Sequence, residues 1–263
     1  GHPDSHAWCM AGSRGTLVDT GLVRKWAVGT SIGLVVLLVA TFGTYTLSKS
    51  RTFQLTGEIV SRVDTAQKVV ALTFDDGPTE WAPEILRMLA EAAVPATFYL
   101  NGAELDRHPD HGAAIARAGH EIGNHTYTHR RMVLVSAGAV AEEVERTDAA
   151  IARTGYQGPV TFRPPYGKKL WTLPHYLSEN ERVTVTWDVE PDSGGDPTTD
   201  QIVADTTANV YPGSIILLHV MADSRSNSRA AVPQIVDRLQ SAGYRFVTVS
   251  QLLGLRGSGT KAP

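Results

Sequence analysis

From Val69 onward, short apolar, β-branched runs alternate with segments of helical spacing, and this rhythm restricts the fold more than any other feature. Val69–Phe74 reads as a buried strand, as do Ala96–Leu100, His120–Gly123, Val160–Arg163, Val183–Trp187, Ser214–Leu218 and Phe246–Val249. Between them, Pro83–Ala93, Gly112–Ala118, Val140–Thr154, Gln201–Val210 and Pro233–Ala242 carry apolar residues at helical intervals. Thr198 and Gln201 form a capping-box signature ahead of one of these helices. Repeated strand–helix alternation implies an α/β fold with parallel strands buried on both faces. No G-x-G-x-x-G follows the first strand, so a dinucleotide fold has no support. A (β/α) barrel remains, and a span of roughly 190 residues is short of the roughly 250 of eight full units, so it should be distorted and partly irregular.

Polar residues cluster just after the strands. Asp75 and Asp76 follow the first; His125 and His129, Arg163 to Gly167, Asp188 and Asp192, and His219 follow later ones. The C-terminal strand ends of a β/α barrel open on one face, the face that carries active sites. Asp75-Asp76-Gly77-Pro78 alone would pass for a turn. Two adjacent carboxylates at a strand end diverge, however, so one can bind a metal while the other stays free as a base. His125 and His129 stand at i and i+4, and a helical turn would bring their imidazoles to one side. One carboxylate and two imidazoles leave coordination positions open, the design of a catalytic metal site. Zinc is the default ion for this donor set; cobalt, nickel or iron also suit it.

Thr73-Phe74-Asp75-Asp76-Gly77-Pro78, His125-Thr126-Tyr127-Thr128-His129, Arg163-Pro164-Pro165-Tyr166-Gly167 and Leu217-Leu218-His219 resemble the ordered motifs of the NodB-type polysaccharide deacetylases, carbohydrate esterase family four. The resemblance covers roughly Val69 to Leu253 and implies a distorted β/α barrel. It implies that Asp75 is the catalytic base and that Asp76, His125 and His129 hold a divalent metal. Arg163 would orient the base, Tyr166 with neighbouring Pro165 would bind substrate and oxyanion, and His219 would be the general acid. The family's Asp-Trp pair matches Asp192-Ser193, with Asp188 a second candidate for the Asp. Ser193 thus replaces the Trp that lines the acetyl pocket; Trp171 or Trp187 could supply the aromatic or could be core residues. His108, His111, His120 and His175 match no motif and read as surface or packing residues.

The implied reaction is removal of N-acetyl groups from N-acetylglucosamine polymers or oligomers such as peptidoglycan, chitin oligomers or exopolysaccharide. The same set would serve an O-acetyl xylan esterase, and a membrane-tethered, inactive glycan-binding module is the reading from another class. With net charge −3 and no Lys/Arg block, a nucleic-acid partner is not expected. The sole cysteine, Cys9, excludes an internal disulfide and a cysteine zinc site.

Trp26 to Ser48 contains no charge and is long enough to cross a bilayer, which needs about 20 apolar residues. Arg24 and Lys25 precede it, Lys49 and Arg51 follow, so flanking charge leaves orientation open. The expected plan is an N-terminal tail (1–25), a transmembrane anchor or signal-like segment (26–48), a linker (49–68), the catalytic domain (69–255) and a C-terminal tail (256–263). A single-pass protein of the cell membrane with its catalytic domain outside the cytoplasm follows, or a secreted one if the segment is cleaved.

Overall fold

A computed structural model describes residues 20–256. Helix α1 (Thr20–Ser48) begins earlier than the anchor expected from Trp26. A helix apolar all round has no soluble face to present, and exposed Ile32, Leu34, Leu37, Leu38 and Phe42 surround α1 on every side. Arg24–Ser48 satisfies the length and hydropathy of a membrane span, a test that a signal sequence also passes. Residues up to Thr44 form one unit and Tyr45 onward a second.

In chain order the second unit carries β1 (Ile59–Val60), β2 (Val69–Asp75), α2 (Ala82–Ala92), β3 (Thr97–Leu100), α3 (Gly102–Arg107), α4 (Pro109–Arg117), β4 (Glu121–Asn124) and α5 (Ala137–Arg153). Then come α6 (Thr172–Glu179), β5 (Thr184–Val185), α7 (Thr199–Asn209), β6 (Ile215–Leu218), α8 (Ser226–Ser241), β7 (Arg245–Val247) and α9 (Val249–Leu253). Strands run parallel in the order β4-β3-β2-β6, with β7 on the first half of β2 and β1 on β5. Single parallel bridges close the ring: Asn124 to Phe162, Phe162 to Thr184, and Val189 to Ile216. The result is the distorted barrel expected. The stretch Val160–Arg163 is not a full strand but one bridging residue, because Pro164 and Pro165 remove the donors a longer ladder needs.

The period-two alternation of β2 decides where chemistry goes. Val70, Leu72 and Phe74 pack outward against the helices with Ile85, Leu89, Ile202, Val232 and Ile235. Val69 and Ala71 face the barrel interior with Val185, Ile215 and Leu217. Thr73 and Asp75 continue that interior row, so the last residue of β2 points a carboxylate into the barrel mouth. The capping box on α7 forms as expected, Thr198 Oγ1 accepting from Gln201 N and Gln201 Oε1 from Thr198 N.

Residues 49–68, expected as a linker, belong to the barrel. Their β1 pairs with β5 and Val63 is buried. Lys169 N donates to Ser48 O, Lys169 Nζ to Ser50 O, and Thr186 Oγ1 to Arg51 O at 2.6 Å. The polar composition that read as a linker is a polar outer face on a backbone that joins the sheet.

Candidate active site

At the end of β2 the chain turns abruptly. Asp76 and Gly77 are both left-handed, with φ of 70° and 78°. A Cβ on Gly77 would also lie 2.9 Å from Met221 Cγ, so glycine is required there twice over. The turn swings Asp76 away from Asp75 and gives two neighbouring carboxylates different surroundings.

Asp75 is buried, and its Oδ1 accepts from Arg163 Nη1 at 2.6 Å. Arg163 is itself wholly buried. It donates further to Thr73 Oγ1 (2.8 Å), Thr186 O (3.0 Å) and Val185 O (3.4 Å), and its guanidinium lies 4.0 Å from the Tyr99 ring centroid. A planar guanidinium with four of its five N–H groups bonded fixes the carboxylate in one orientation. Burial alone would raise the Asp75 pKa; the charge of Arg163, aided by His125 and His219, overrides it and holds the carboxyl below its ordinary range.

Asp76, His125 and His129 converge, with ligand atoms all within 4.8 Å of one another. Asp76 Oδ1 lies 3.2 Å from His129 Nε2 and 3.8 Å from His125 Nε2. His125 Nδ1 donates to Arg163 O at 2.7 Å; a carbonyl only accepts, so the proton sits on Nδ1 and Nε2 faces the cluster with its lone pair. One carboxylate and two oriented imidazoles fit a divalent metal with positions to spare. The two histidines do not share a helical turn, as their spacing had suggested. They sit on a loop in which Thr126 and His129 have φ of 68° and 57°. That loop is folded by acceptors: Asn124 Oδ1 takes Thr126 N (2.9 Å), while the Glu143 carboxylate takes Tyr127 N (2.8 Å), Thr128 N (2.8 Å) and Thr128 Oγ1 (2.6 Å). Glu143, on α5, had no signal in the sequence beyond being a Glu on the otherwise buried face of an amphipathic helix.

His219 follows β6. Its Nδ1 meets Asp192 Oδ1 at 3.1 Å and its backbone N donates to Asp192 Oδ2 at 2.7 Å. Ser228 Oγ and Arg225 Nη1 hold the same residue, through Oδ2 (2.8 Å) and the backbone carbonyl (2.7 Å). Burial alone would push His219 down, but the hydrogen bond and charge of Asp192, with Asp75 and Asp76, raise it to about 9. Asp188, the other candidate partner, is instead bonded to Ser214 Oγ (2.7 Å) and Ile215 N (2.8 Å), where it ties the barrel seam.

Asp75, Asp76, His125, His129 and His219 line one cavity of about 500 Å³, with buried Arg163 and Asp192 behind it. Trp187 lines it too, although only 5% exposed, whereas Trp171 is exposed and stacked on His175. Glu190 accepts from Trp187 Nε1 (2.8 Å) and Ser193 Oγ (2.7 Å), which sets the indole against the cavity. Tyr166 sits at the rim with φ of 58°, unusual for a bulky residue, its ring 4.8 Å from that of His129. Its N–H has no acceptor among the described residues. Pro165 precedes it, buried. His120 is a packing residue, buried with Nδ1 accepting from Ala96 N, and burial lowers it to about 4.

Residues 62–185 match the family profile described as polysaccharide deacetylase. A peptidoglycan-N-acetylglucosamine deacetylase of Bacillus cereus is 34% identical over 205 residues, covering 75% of this chain and 94% of that protein. A chitooligosaccharide deacetylase of Bradyrhizobium is 32% identical over 198 residues, covering 70% and 90%. Among solved structures, a peptidoglycan N-acetylglucosamine deacetylase in complex with an N-hydroxybenzamide superposes with a TM-score of 0.70 at 32% identity, covering 73% of this chain and 91% of that one. The chain therefore belongs to the polysaccharide deacetylase family of carbohydrate esterases.

Proposed function

We propose that the chain is a divalent-metal-dependent N-deacetylase that releases acetate from N-acetylglucosamine units of a polysaccharide or oligosaccharide. One observation carries this reading: a fixed carboxylate, a three-ligand metal trio and a carboxylate-bonded histidine line a single cavity. When bound by Asp76, His125 and His129, the cation supplies Lewis-acid polarisation and makes a water more acidic. Asp75, held by Arg163, accepts the proton of the attacking water. The free N–H of Tyr166 stabilises the carbonyl oxygen as it gains charge. His219, protonated at neutral pH because Asp192 supports it, donates to the leaving nitrogen, and the products are acetate and the free amine. An amine leaves only after protonation, so a well-supported acid suits an amide more than an ester. Trp187 is the aromatic wall beside the acetyl group in the place Ser193 vacates. Helix α1 anchors the chain in the cell membrane with the catalytic domain outside the cytoplasm.

The test is acetate release by the 263-residue chain in detergent, since Lys49 and Arg51 line the cavity and a start at Thr52 would remove part of it. N-acetylglucosamine oligomers, peptidoglycan and acetylated xylan are offered side by side with zinc or cobalt. Acetate from the amino sugars, abolished by chelator, is expected; acetate from xylan alone would overturn the amide assignment. Fractionation then reads the anchor: an N-terminal tag recovered in the membrane with the enzyme is expected, and its loss into a shorter secreted form would replace anchor by signal.

A further inference from the structure

Glu190 is the meeting point of three donors. Its Oε2 accepts from Trp187 Nε1 at 2.8 Å and faces Arg51 Nη2 at 3.3 Å, and its Oε1 accepts from Ser193 Oγ at 2.7 Å. Arg51 comes from the stretch just after α1, far from the other two in sequence, and its backbone is fixed to the barrel. Arg51 O accepts from Thr186 Oγ1 at 2.6 Å, and the preceding carbonyl, of Ser50, accepts from Lys169 Nζ. The Arg51 guanidinium lies 5.1 Å from the Trp187 ring centroid, within reach of a cation–π contact. The six-membered ring of that indole reaches the turn that carries the Tyr166 N–H: a Cβ on Gly167 would stand 3.3 Å from Trp187 Cη2. Arg51, Glu190 and Trp187 thus form one wall. The same pair also divides two cavities. Arg51 and Glu190 line the active-site cavity of about 500 Å³ and a neighbouring one of about 630 Å³, which they share with Arg62, Asp188, Asp205 and Tyr211. With 45% of the arginine side chain exposed, such an ion pair adds little to fold stability. What it supplies is a partition, and Ser193, too short to close the wall alone, is bonded into it through Glu190.

We propose that the Arg51–Glu190 pair closes the acyl pocket and limits it to acetyl, which makes Arg51 a specificity-determining residue supplied by the segment that follows α1. This rests on the deacetylase reading, with Trp187 as the wall beside the acetyl group. A longer acyl chain has to displace a guanidinium that is paired with Glu190, set against the indole and held by its own backbone. Selectivity for acetyl over a longer chain then depends on Arg51, a residue outside the metal trio and the acid–base pair.

The experiment measures kcat/KM of the 263-residue chain, in detergent with zinc, on an N-acetylglucosamine tetramer and on its N-propionyl counterpart, by release of acetate or propionate. The unaltered chain is expected to favour acetyl by about 10- to 100-fold, the range that one methylene commands in a closed pocket. Arg51→Ala should cut that preference at least about fivefold, with propionyl turnover rising as acetyl turnover falls. A variant that merely folded less well would lose both in proportion. Arg51→Lys, which keeps the charge and the reach, should restore most of the preference. Glu190→Gln keeps the side-chain size but leaves the guanidinium without its counter-charge, so the preference should fall there too. A parental ratio in Arg51→Ala or in Glu190→Gln would overturn the proposal, as would an unaltered chain that takes both acyl groups equally. Neither acid released from either substrate by the unaltered chain would overturn the deacetylase reading instead.

Discussion

Asp75 and Asp76 are neighbours in different surroundings, and so are proposed for different tasks, because backbone conformation separates them: one ends a strand pointing inward, the other opens a left-handed turn. Asp75→Asn tests the base. The kcat should fall by about 10²–10⁴, while zinc titration should still find the Asp76-His125-His129 site. The same change leaves the Arg163 charge buried without its counter-charge, which costs on the order of 3 kcal/mol. Activity must therefore be read well below the lowered melting temperature. Asp192→Asn tests the acid. A general acid with a pKa of about 9 works below that pH and fails above it, so the alkaline limb of kcat/KM should fall near pH 9. Removing the Asp192 charge removes the main support of the protonated form, so the limb should move to lower pH by a unit or more. An unmoved limb would dissociate it from His219. These residues were legible from sequence because each follows a strand in a recognisable order. Trp187 reads from sequence only as a cavity wall or a core residue, because an indole after an apolar run looks the same in both; it proves to be both, packed in the core while lining the cavity, with its Nε1 bonded to Glu190.

Elements that carry no reacting atom still decide the geometry. Helix α5 is started by Ser136, whose side chain accepts from Ala139 N. Seven residues into the helix, Glu143 reaches the loop between the two histidines and takes three of its donors. A loop with left-handed residues at Thr126 and His129 is strained, and this carboxylate is what over-determines it. Glu143→Gln keeps the size of the side chain but offers one acceptor oxygen for three donors. Zinc affinity measured by competition with a chromophoric chelator should weaken by about 10- to 100-fold, with the far-ultraviolet circular dichroism unchanged. Retained affinity would mean that Asn124, with Asn101 donating to the carbonyls of His125 and Thr126, shapes the loop without Glu143. The i and i+4 spacing of the histidines announced that they would meet. It did not announce how, since a helical turn and a braced loop both bring positions four apart together. The partner that chooses between them lies on another element.

At the scale of the molecule, short apolar-rich runs between helical segments sufficed for a parallel barrel because the strands β2, β3 and β6 are buried on both faces. They failed where closure depends on single bridges at Phe162 and Val189 and on β1, two residues long and flanked by polar positions. Such pieces are held by register with their neighbours and carry too few residues to show a period. The proposed metal site spans this architecture, joining the end of β2 to the loop after β4, with Asp76 49 positions from His125 and 53 from His129 in the chain. An unfolded chain cannot present them together, so a bound ion stabilises only the folded state. At a free concentration of 100 times Kd the gain is about 2.7 kcal/mol. For a domain of this size that raises the melting temperature by roughly 5–10 °C. The apolar core is complete without the ion, so chelation should lower the melting temperature by that amount and leave a cooperative transition. Asp76→Ala should remove the response to zinc while melting close to the chelated parent. A chelated protein with no cooperative melt would instead make the metal a condition of folding, and an Asp76→Ala variant still stabilised by zinc would place the ion elsewhere.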